Sequence, residues 1–438
     1  MRTGRRPVLP ILRTAVLLIL CLQLIPSPAP PDHRAMEIVA VEPAAGMRAR
    51  LAGLGLDPLM EHEGRIFAVA GPAAIAALIG ENIPFSLETH RFPEARGGRI
   101  AVAGGLNGAF HSYAETEARL KDLAAAHPNL ARLHVIGESL EKRRISALRI
   151  GTGIQDNRAK PAVLFLGCHH AREWISVEVP LLFAAHLLEN YNSDPDIRRL
   201  LDRVDAWIVP LVNPDGLEYS IRVYRYWRKN RRANGDGSFG VDLNRNFGFQ
   251  WGLDNRGSSP SPASDVYRGT SAFSEPETSA VRDLFLRHDF RAVVSYHSYS
   301  RIILYPWGFA DLPTERDLEM ERMAADMSAL MAPVNGRVYD YGRASASLYL
   351  TNGDTTDWTF GTRGVPSFTF ELPPVDILGG GFFNAEADII PIVNENIPAM
   401  FYLLSYAATD EAFPPRRGDE DRDENRKKKG LTKRDPRS

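Results

Sequence analysis

The feature that most restricts this chain is the alternation of short apolar runs with amphipathic stretches between residues 113 and 406. The pattern predicts a helix over 116–127, strands over 132–136, 145–151 and 161–167, a long helix over 173–191 and a strand over 206–212. Ser274 and Glu277 read as a capping box that opens a helix ending near His288. A strand over 291–295, a helix over 315–331, a strand over 367–371 and a helix over 391–406 follow. Strands that alternate with helices need cover on both faces of their sheet. The expected fold class is therefore α/β, with a mixed, largely parallel central sheet flanked by helices.

The apolar run from Pro161 to Gly167 leads into Gly167-Cys168-His169-His170-Ala171-Arg172-Glu173-Trp174. A His-x-x-Glu pair thus stands where buried strands deliver site residues. Two residues three positions apart can turn an imidazole nitrogen and a carboxylate oxygen onto one ion, and a third ligand from elsewhere would leave one position open for chemistry. Alone, the pair is equally a capped helix start with a surface histidine.

Six segments, in order, decide between these readings: HHAREW at 169–174, NPDG at 213–216, RYWRKNR at 225–231, VDLNRNF at 241–247, SYHSYS at 295–300, and LYLTNGDTTDW at 348–358 running on to SFTFEL at 367–372. Together they resemble the zinc metallocarboxypeptidases of the carboxypeptidase A and B type over residues 108–408. The resemblance implies an α/β/α sandwich and one catalytic Zn2+ held by His170, Glu173 and His297. His169 competes with His170, but the spacing to Glu173 starts at His170, which leaves His169 as a satisfied or solvent-facing side chain. The resemblance further implies that Asp242 orients the first histidine ligand and that Glu371 is the general base. Arg228 would steady the oxyanion. Lys229, Arg231 and Arg232 read as a solvated basic face.

An exopeptidase must hold a free terminal carboxylate, for which a planar guanidinium is suited. The resemblance assigns this to Arg245 with Asn244, puts the mobile tyrosine at Tyr349, and gives Arg172 and Arg225 to neighbouring parts of the substrate. The departing side chain would enter a pocket lined by 352–357, with Gly308 and Thr369 completing its wall. Thr356 is neither aliphatic nor acidic. Asp354 resembles the bacterial carboxypeptidase T group, which implies acceptance of both apolar and basic residues. Of two departures from the pattern, Leu140–Ile145 touches none of these residues, whereas Pro373-Pro374 follows Glu371-Leu372 directly, where it bears on the loop beside the site and leaves a cis bond at Pro374 open.

At its N-terminus the chain carries Arg2, Arg5, Arg6 and Arg13 before an apolar stretch from Ala15 to Ile25, then small residues and prolines. Residues 1–30 read as a signal peptide, the apolar run being short of the ~20 residues of a spanning helix. A secreted protein, extracellular or periplasmic and without stable membrane association, is expected. Residues 37–90 alternate strand-like runs (37–41, 65–69) with Ala-rich helical ones (44–54, 72–80). This small α/β unit resembles the activation propeptide of the family. Residues 91–107 form a polar linker with processing sites near Arg91, Arg96 or Arg99, which implies an activating protease as partner. Residues 409–438 are charged and almost free of apolar side chains, as in a solvated tail.

The formal net charge of -2 argues against a nucleic-acid partner. With Cys21 in the leader, Cys168 is the only thiol of the mature protein and reads as a small buried hydrophobe. The expected partners are peptide or protein C-termini. Two other classes compete with this reading: a zinc amidohydrolase of peptidoglycan stem peptides, and a non-catalytic peptide-binding relative. The second is disfavoured because every catalytic position carries a competent residue.

Overall fold

The computed structural model describes residues 37–87 and 106–409, apart from 55, 63–64, 71, 157–159 and 376–379. The segments expected to be a signal peptide (1–30), a processing linker up to residue 105 and a charged tail from residue 410 lie outside the described residues.

The N-terminal unit is built from β1 (Glu37–Val41), α1 (Met47–Gly53), β2 (Asp57–His62), β3 (Arg65–Ala70), α2 (Pro72–Gly80) and β4 (Phe85–Leu87). Its sheet runs β2-β3-β1-β4 with every pair antiparallel. Val39 and Val41, two positions apart, turn to the same face and bury against Leu51 and Leu78 from the helices. β2 and β4 were not foreseen, because Asp57-Pro58 and the three-residue β4 carry almost no alternation.

The larger unit opens with α3 (Tyr113–Ala126), whose start is fixed by a capping box between Ser112 and Glu115. β5 (Ala131–Glu138), β6 (Arg144–Ile150) and β7 (Ala162–Leu166) follow, then α4 (Ile175–Asn190), α5 (Pro195–Arg203), β8 (Asp205–Val209) and α6 (Pro214–Arg222). Next come α7 (Pro276–Arg287), β9 (Phe290–Ser298), β10 (Ile302–Tyr305), α8 (Asp317–Asn335), β11 (Asp340–Arg343) and α9 (Ala344–Ser347). α10 (Thr355–Arg363), β12 (Ser367–Leu372) and α11 (Ile389–Ala407) complete it.

The eight strands are ordered β11-β10-β12-β9-β7-β8-β6-β5. The central strands β12, β9, β7 and β8 are mutually parallel, whereas β6 and β5 on one side and β10 against β12 on the other are antiparallel. This is the mixed, largely parallel sheet expected from the alternation. Along β7, Val163 and Phe165 enter one apolar cluster while Ala162, Leu164 and Leu166 enter the other. Both faces are therefore buried, as a strand read as a continuous apolar run requires. Each large side chain so buried contributes about 1.5–3 kcal/mol.

Two expectations need correction. α7 is not opened by a Ser274–Glu277 capping box: its N-cap is Glu275, with no side-chain cap. Pro276 occupies the first turn, the Ser274 hydroxyl turns to Glu275, and Glu277 is buried against Asn230. Nor do the basic residues after Arg228 form a solvated face. The Lys229 ammonium donates to the carbonyls of Pro262 and Ser264, Arg231 stacks on Tyr219 and Trp227, and Arg232 pairs with Glu275. Burial lowers Lys229 to about 8. The Pro373–Pro374 bond is cis.

Candidate active site

The site forms where the carboxyl ends of β7, β9 and β12 lie side by side. β7 ends at Leu166, beside Ser295 of β9, and the chain then turns through Cys168 at φ 53° to present His169 and His170. Gly167 permits that turn, since a Cβ there would meet the carbonyl oxygen of Pro210 at 2.6 Å. β12 runs parallel to β9 in a register that pairs Glu371 with His297. Residues 74 positions apart in sequence thus become neighbours at one sheet edge.

His170, Glu173 and His297 converge, all buried. Their facing atoms are His170 Nδ1, 2.8 Å from Glu173 Oε1, and His297 Nδ1, 3.0 Å from Glu173 Oε2. The two Nδ1 atoms are themselves 3.0 Å apart. Zinc bonds of 2.0–2.1 Å in a tetrahedron imply ligand separations of about 3.3 Å, so this donor set fits the ion. The outward nitrogens fit as well. His170 Nε2–H donates to Asp242 Oδ1 at 3.2 Å, and His297 Nε2 lies 2.8 Å from the Ser295 hydroxyl, which leaves each Nδ1 with its lone pair toward the centre. Burial would raise the Glu173 carboxyl, but the two imidazoles hold it below the usual carboxylate range.

Asp242 is fully buried and does three things. Besides the bond to His170, its Oδ2 accepts from Arg228 Nε and Nη2 at 3.0 and 2.9 Å, and Oδ1 accepts the backbone N–H of Asn244. It thereby caps the single turn Leu243–Arg245. Burial alone would raise its carboxyl; Arg228, Arg245 and His170 hold it well below the ordinary value.

A cleft of about 350 Å³ opens over this centre, walled in part by His170, Glu173, Arg172, Arg228, Tyr349 and Glu371. Burial, together with the charge of Glu173, pushes the Glu371 carboxyl well above the ordinary value, against the pull of Arg228, Arg172 and Arg245. Arg172 lies with its guanidinium carbon 4.1 Å from the ring centre of Phe382, a cleft wall that no sequence signal marked, since it sits in the loop after β12.

Arg245 is fixed by two carbonyls, Nε to Gly257 and Nη1 to Asn244, each at 2.8 Å, beneath the Tyr349 ring. Gly353, at φ +71°, lets the next loop approach: a Cβ there would stand 2.7 Å from the Arg245 carbonyl oxygen. Asn244 Oδ1 accepts from both the backbone N–H and the hydroxyl of Thr355, so its Nδ2 is left as the donor for a ligand. The Arg225 guanidinium lies between Trp174 and Phe383 and donates to the carbonyls of Arg172 and Phe382, which ties it to two residues of the cleft wall.

Asp354 caps α10, accepting the N–H of Asp357 and the hydroxyl of Thr356 on Oδ1 and the hydroxyl of Thr351 on Oδ2. Thr356 faces Thr369 at 3.4 Å, and a Cβ on Gly308 would lie 2.9 Å from Asp354 Oδ2. The four residues expected to wall the side-chain pocket are brought together. Burial and the neighbouring Asp354 raise the Asp357 carboxyl well above its usual range.

Cys168 is buried among Val177, Leu211 and Leu217, and burial raises its thiol. His169 is neither exposed nor a ligand. It is fully buried and bonded on both ring nitrogens, and burial, then the neighbouring histidines, keep it neutral. The sequence signal for it was the doubled histidine itself.

The zinc carboxypeptidase family matches residues 116–399. The chain is 36% identical over 303 residues to a carboxypeptidase B of Astacus astacus, covering 68% of this chain and 96% of the relative. It is 30% identical over 396 residues to a zinc carboxypeptidase of Saccharothrix mutabilis subsp. capreolus, covering 86% and 89%. The crystal structure of the carboxypeptidase A from Helicoverpa armigera superposes with a TM-score of 0.72 at 27% identity, over 86% of this chain and 98% of that one.

Proposed function

Because this chain belongs to the zinc carboxypeptidase family and is a metallocarboxypeptidase, we propose that it is made as a secreted precursor that, once processed, removes single residues with apolar or basic side chains from free peptide C-termini. The observation that carries the site assignment is the β12–β9 register, which sets Glu371 beside His297, with Glu371 on the same cleft as His170, Glu173, Arg228 and Tyr349, the ring under which Arg245 lies.

His170, Glu173 and His297 would hold a zinc ion, whose positive charge would acidify water and polarise a carbonyl. The protein groups do the rest. Arg245, its plane fixed by two carbonyls, and Asn244, through Nδ2, hold the substrate's terminal carboxylate. Tyr349, over Arg245, closes on that terminus. Arg172 meets the residue before the scissile bond. Glu371 takes a proton from water and returns it to the departing amine. Arg228, anchored by Asp242 on the wall of the cleft, steadies the oxyanion.

Pocket chemistry supports broad side-chain acceptance. Asp354 offers a carboxylate to a basic group, Gly308 lets the Asp354 and Thr351 side chains approach the backbone, and Thr356 with Thr369 presents methyls and hydroxyls to apolar groups. Precursor synthesis is supported by the leader-like first 30 residues, by the basic linker over 91–107, and by the separately cored N-terminal unit. Among the described residues no helix is long and apolar enough to cross a membrane.

The test is to incubate the protein, before and after limited trypsin treatment, with peptides ending in Leu, Phe, Arg or Glu and with amidated controls, with and without a zinc chelator. Mass spectrometry then counts the residues lost. Chelator-sensitive, one-at-a-time release from free termini only, and only after trypsin, is expected. Release from amidated peptides contradicts the terminal-carboxylate role, and full activity before trypsin contradicts the precursor.

A further inference from the structure

One buried histidine of the site has no part in the chemistry above. His169 lies between two groups that do: the zinc ligand His297 and the carboxylate holder Asn244. His297 Nε2 is 2.8 Å from Ser295 Oγ, which is 3.1 Å from His169 Nδ1; His169 Nε2 is 3.2 Å from Thr355 Oγ1, which donates to Asn244 Oδ1 at 2.8 Å. All five side chains are buried. The His169 ring is held parallel to that of His297, at an interplanar angle of 15°, with the Phe247 ring edge-on beside it.

Proton counting gives this row of contacts one direction. A His297 that uses Nδ1 for metal must carry its proton on Nε2 and so donates to Ser295 Oγ. That hydroxyl has one proton to give, and His169 Nδ1 is the acceptor it faces. The His169 proton then sits on Nε2 and goes to Thr355 Oγ1, whose own proton goes to Asn244 Oδ1. That bond, with the Thr355 backbone N–H on the same oxygen, fixes the flip of the Asn244 amide and leaves Nδ2 outward for a carboxylate. A neutral imidazole, with one donor and one acceptor on opposite edges, is what the middle of such a chain needs.

We propose that His169 is a positioning residue that joins the zinc site to the terminal-carboxylate site, holding the His297 tautomer at one end and the Asn244 amide orientation at the other. The proposal rests on the reading of His297 as zinc ligand and Asn244 as carboxylate holder. It concerns neither proton transfer nor titration of His169.

The test compares His169→Phe and His169→Gln with the natural protein. Zinc affinity is read by competition with a chromogenic chelator, and kcat and KM with a peptide ending in a free leucine. Loss of an outer hydrogen-bond partner typically weakens metal binding by about 10- to 100-fold. His169→Phe is expected to weaken zinc binding by about tenfold and to raise KM severalfold at saturating zinc. Glutamine carries an acceptor and a donor on one planar group, so His169→Gln is expected to recover most of both losses. A merely structural role would move the melting temperature and give glutamine no such advantage. An unchanged zinc affinity, an unchanged KM, or equal behaviour of the two variants overturns the proposal.

Should His169→Phe fail to fold, Ser295→Ala and Thr355→Val carry the same test from the two ends. The first is expected to weaken zinc binding with KM nearly unchanged, and the second to raise KM with zinc affinity nearly unchanged. Absence of either effect overturns the link. A natural protein that binds no zinc, or that cleaves free and amidated peptides alike, removes the underlying site reading instead.

Discussion

Arg228 and His170 are tied to opposite oxygens of one buried carboxylate: Asp242 Oδ2 accepts from Arg228 Nε and Nη2, and Oδ1 from His170 Nε2. The groups proposed to stabilise the oxyanion and to bind zinc therefore share a single anchor. Asp242→Asn keeps the shape but removes the charge. Zinc affinity is expected to fall by about 10- to 100-fold in chelator competition. The loss of a buried partner for Arg228 is expected to cost about 3–5 kcal/mol, read in denaturant unfolding of the zinc-free protein.

Glu371→Gln removes the base without removing volume. The expected kcat falls by about 10²–10⁴-fold, with KM and zinc content essentially unchanged. Retained activity in a zinc-loaded Gln variant would remove Glu371 from the mechanism.

Arg245 is the group that should distinguish a free from a blocked terminus. Arg245→Ala is expected to weaken binding of free-terminal peptides by about 1.5–3 kcal/mol, visible mainly in KM. Lysine at this position is not expected to restore it, since a point charge cannot make two parallel N–H bonds while a third holds Gly257.

Asp354→Asn tests the pocket. Release of C-terminal Arg and Lys is expected to fall at least about tenfold relative to Leu, the consequence of losing a charge-assisted bond of about 1.5–3 kcal/mol. Equal losses for all side chains would mean that Asp354 serves only as the cap of α10.

Glu277 gives a pH prediction away from the site. Burial, then the nearby Glu275, raises it to about 8, and among the described residues its Oε1 has no hydrogen-bond partner. A folded-state value above the unfolded one means that the folded chain binds more protons, so stability falls as pH rises from about 4.5, the ordinary glutamate value, to about 8. Glu277→Gln is expected to flatten that fall and to raise the melting temperature at pH 8. A variant that melts earlier than the natural protein at pH 8 would contradict it.

The sequence made the strands and helices with strong periodicity visible. Helices α5 and α6 and the short strands β10 and β11 were not seen. Each is brief, and α5 and α6 begin at Asp194-Pro195 and Asn213-Pro214, dipeptides that signal turns as much as helix starts. The Lys229–Arg232 run was misread for a related reason: a run of charge normally means water, and only the packing brings Tyr219, Glu275 and two carbonyls around it.

By itself the sequence determined the α/β class and the chemical inventory: a His-x-x-Glu pair, a later histidine after a strand, arginines suited to a carboxylate, and a glutamate ending an apolar strand. Those depend on residue type and local spacing, which the chain carries in its order. Tertiary structure decided which groups meet. The parallel register of β12 on β9 brings Glu371 to His297, a carbonyl pair ties Arg225 to Arg172 and Phe382, and the buried line from His297 through His169 to Asn244 joins two ends of the site. Such contacts depend on strand register and on which polar atoms lose water, and both are settled only when the whole sheet and its cover assemble.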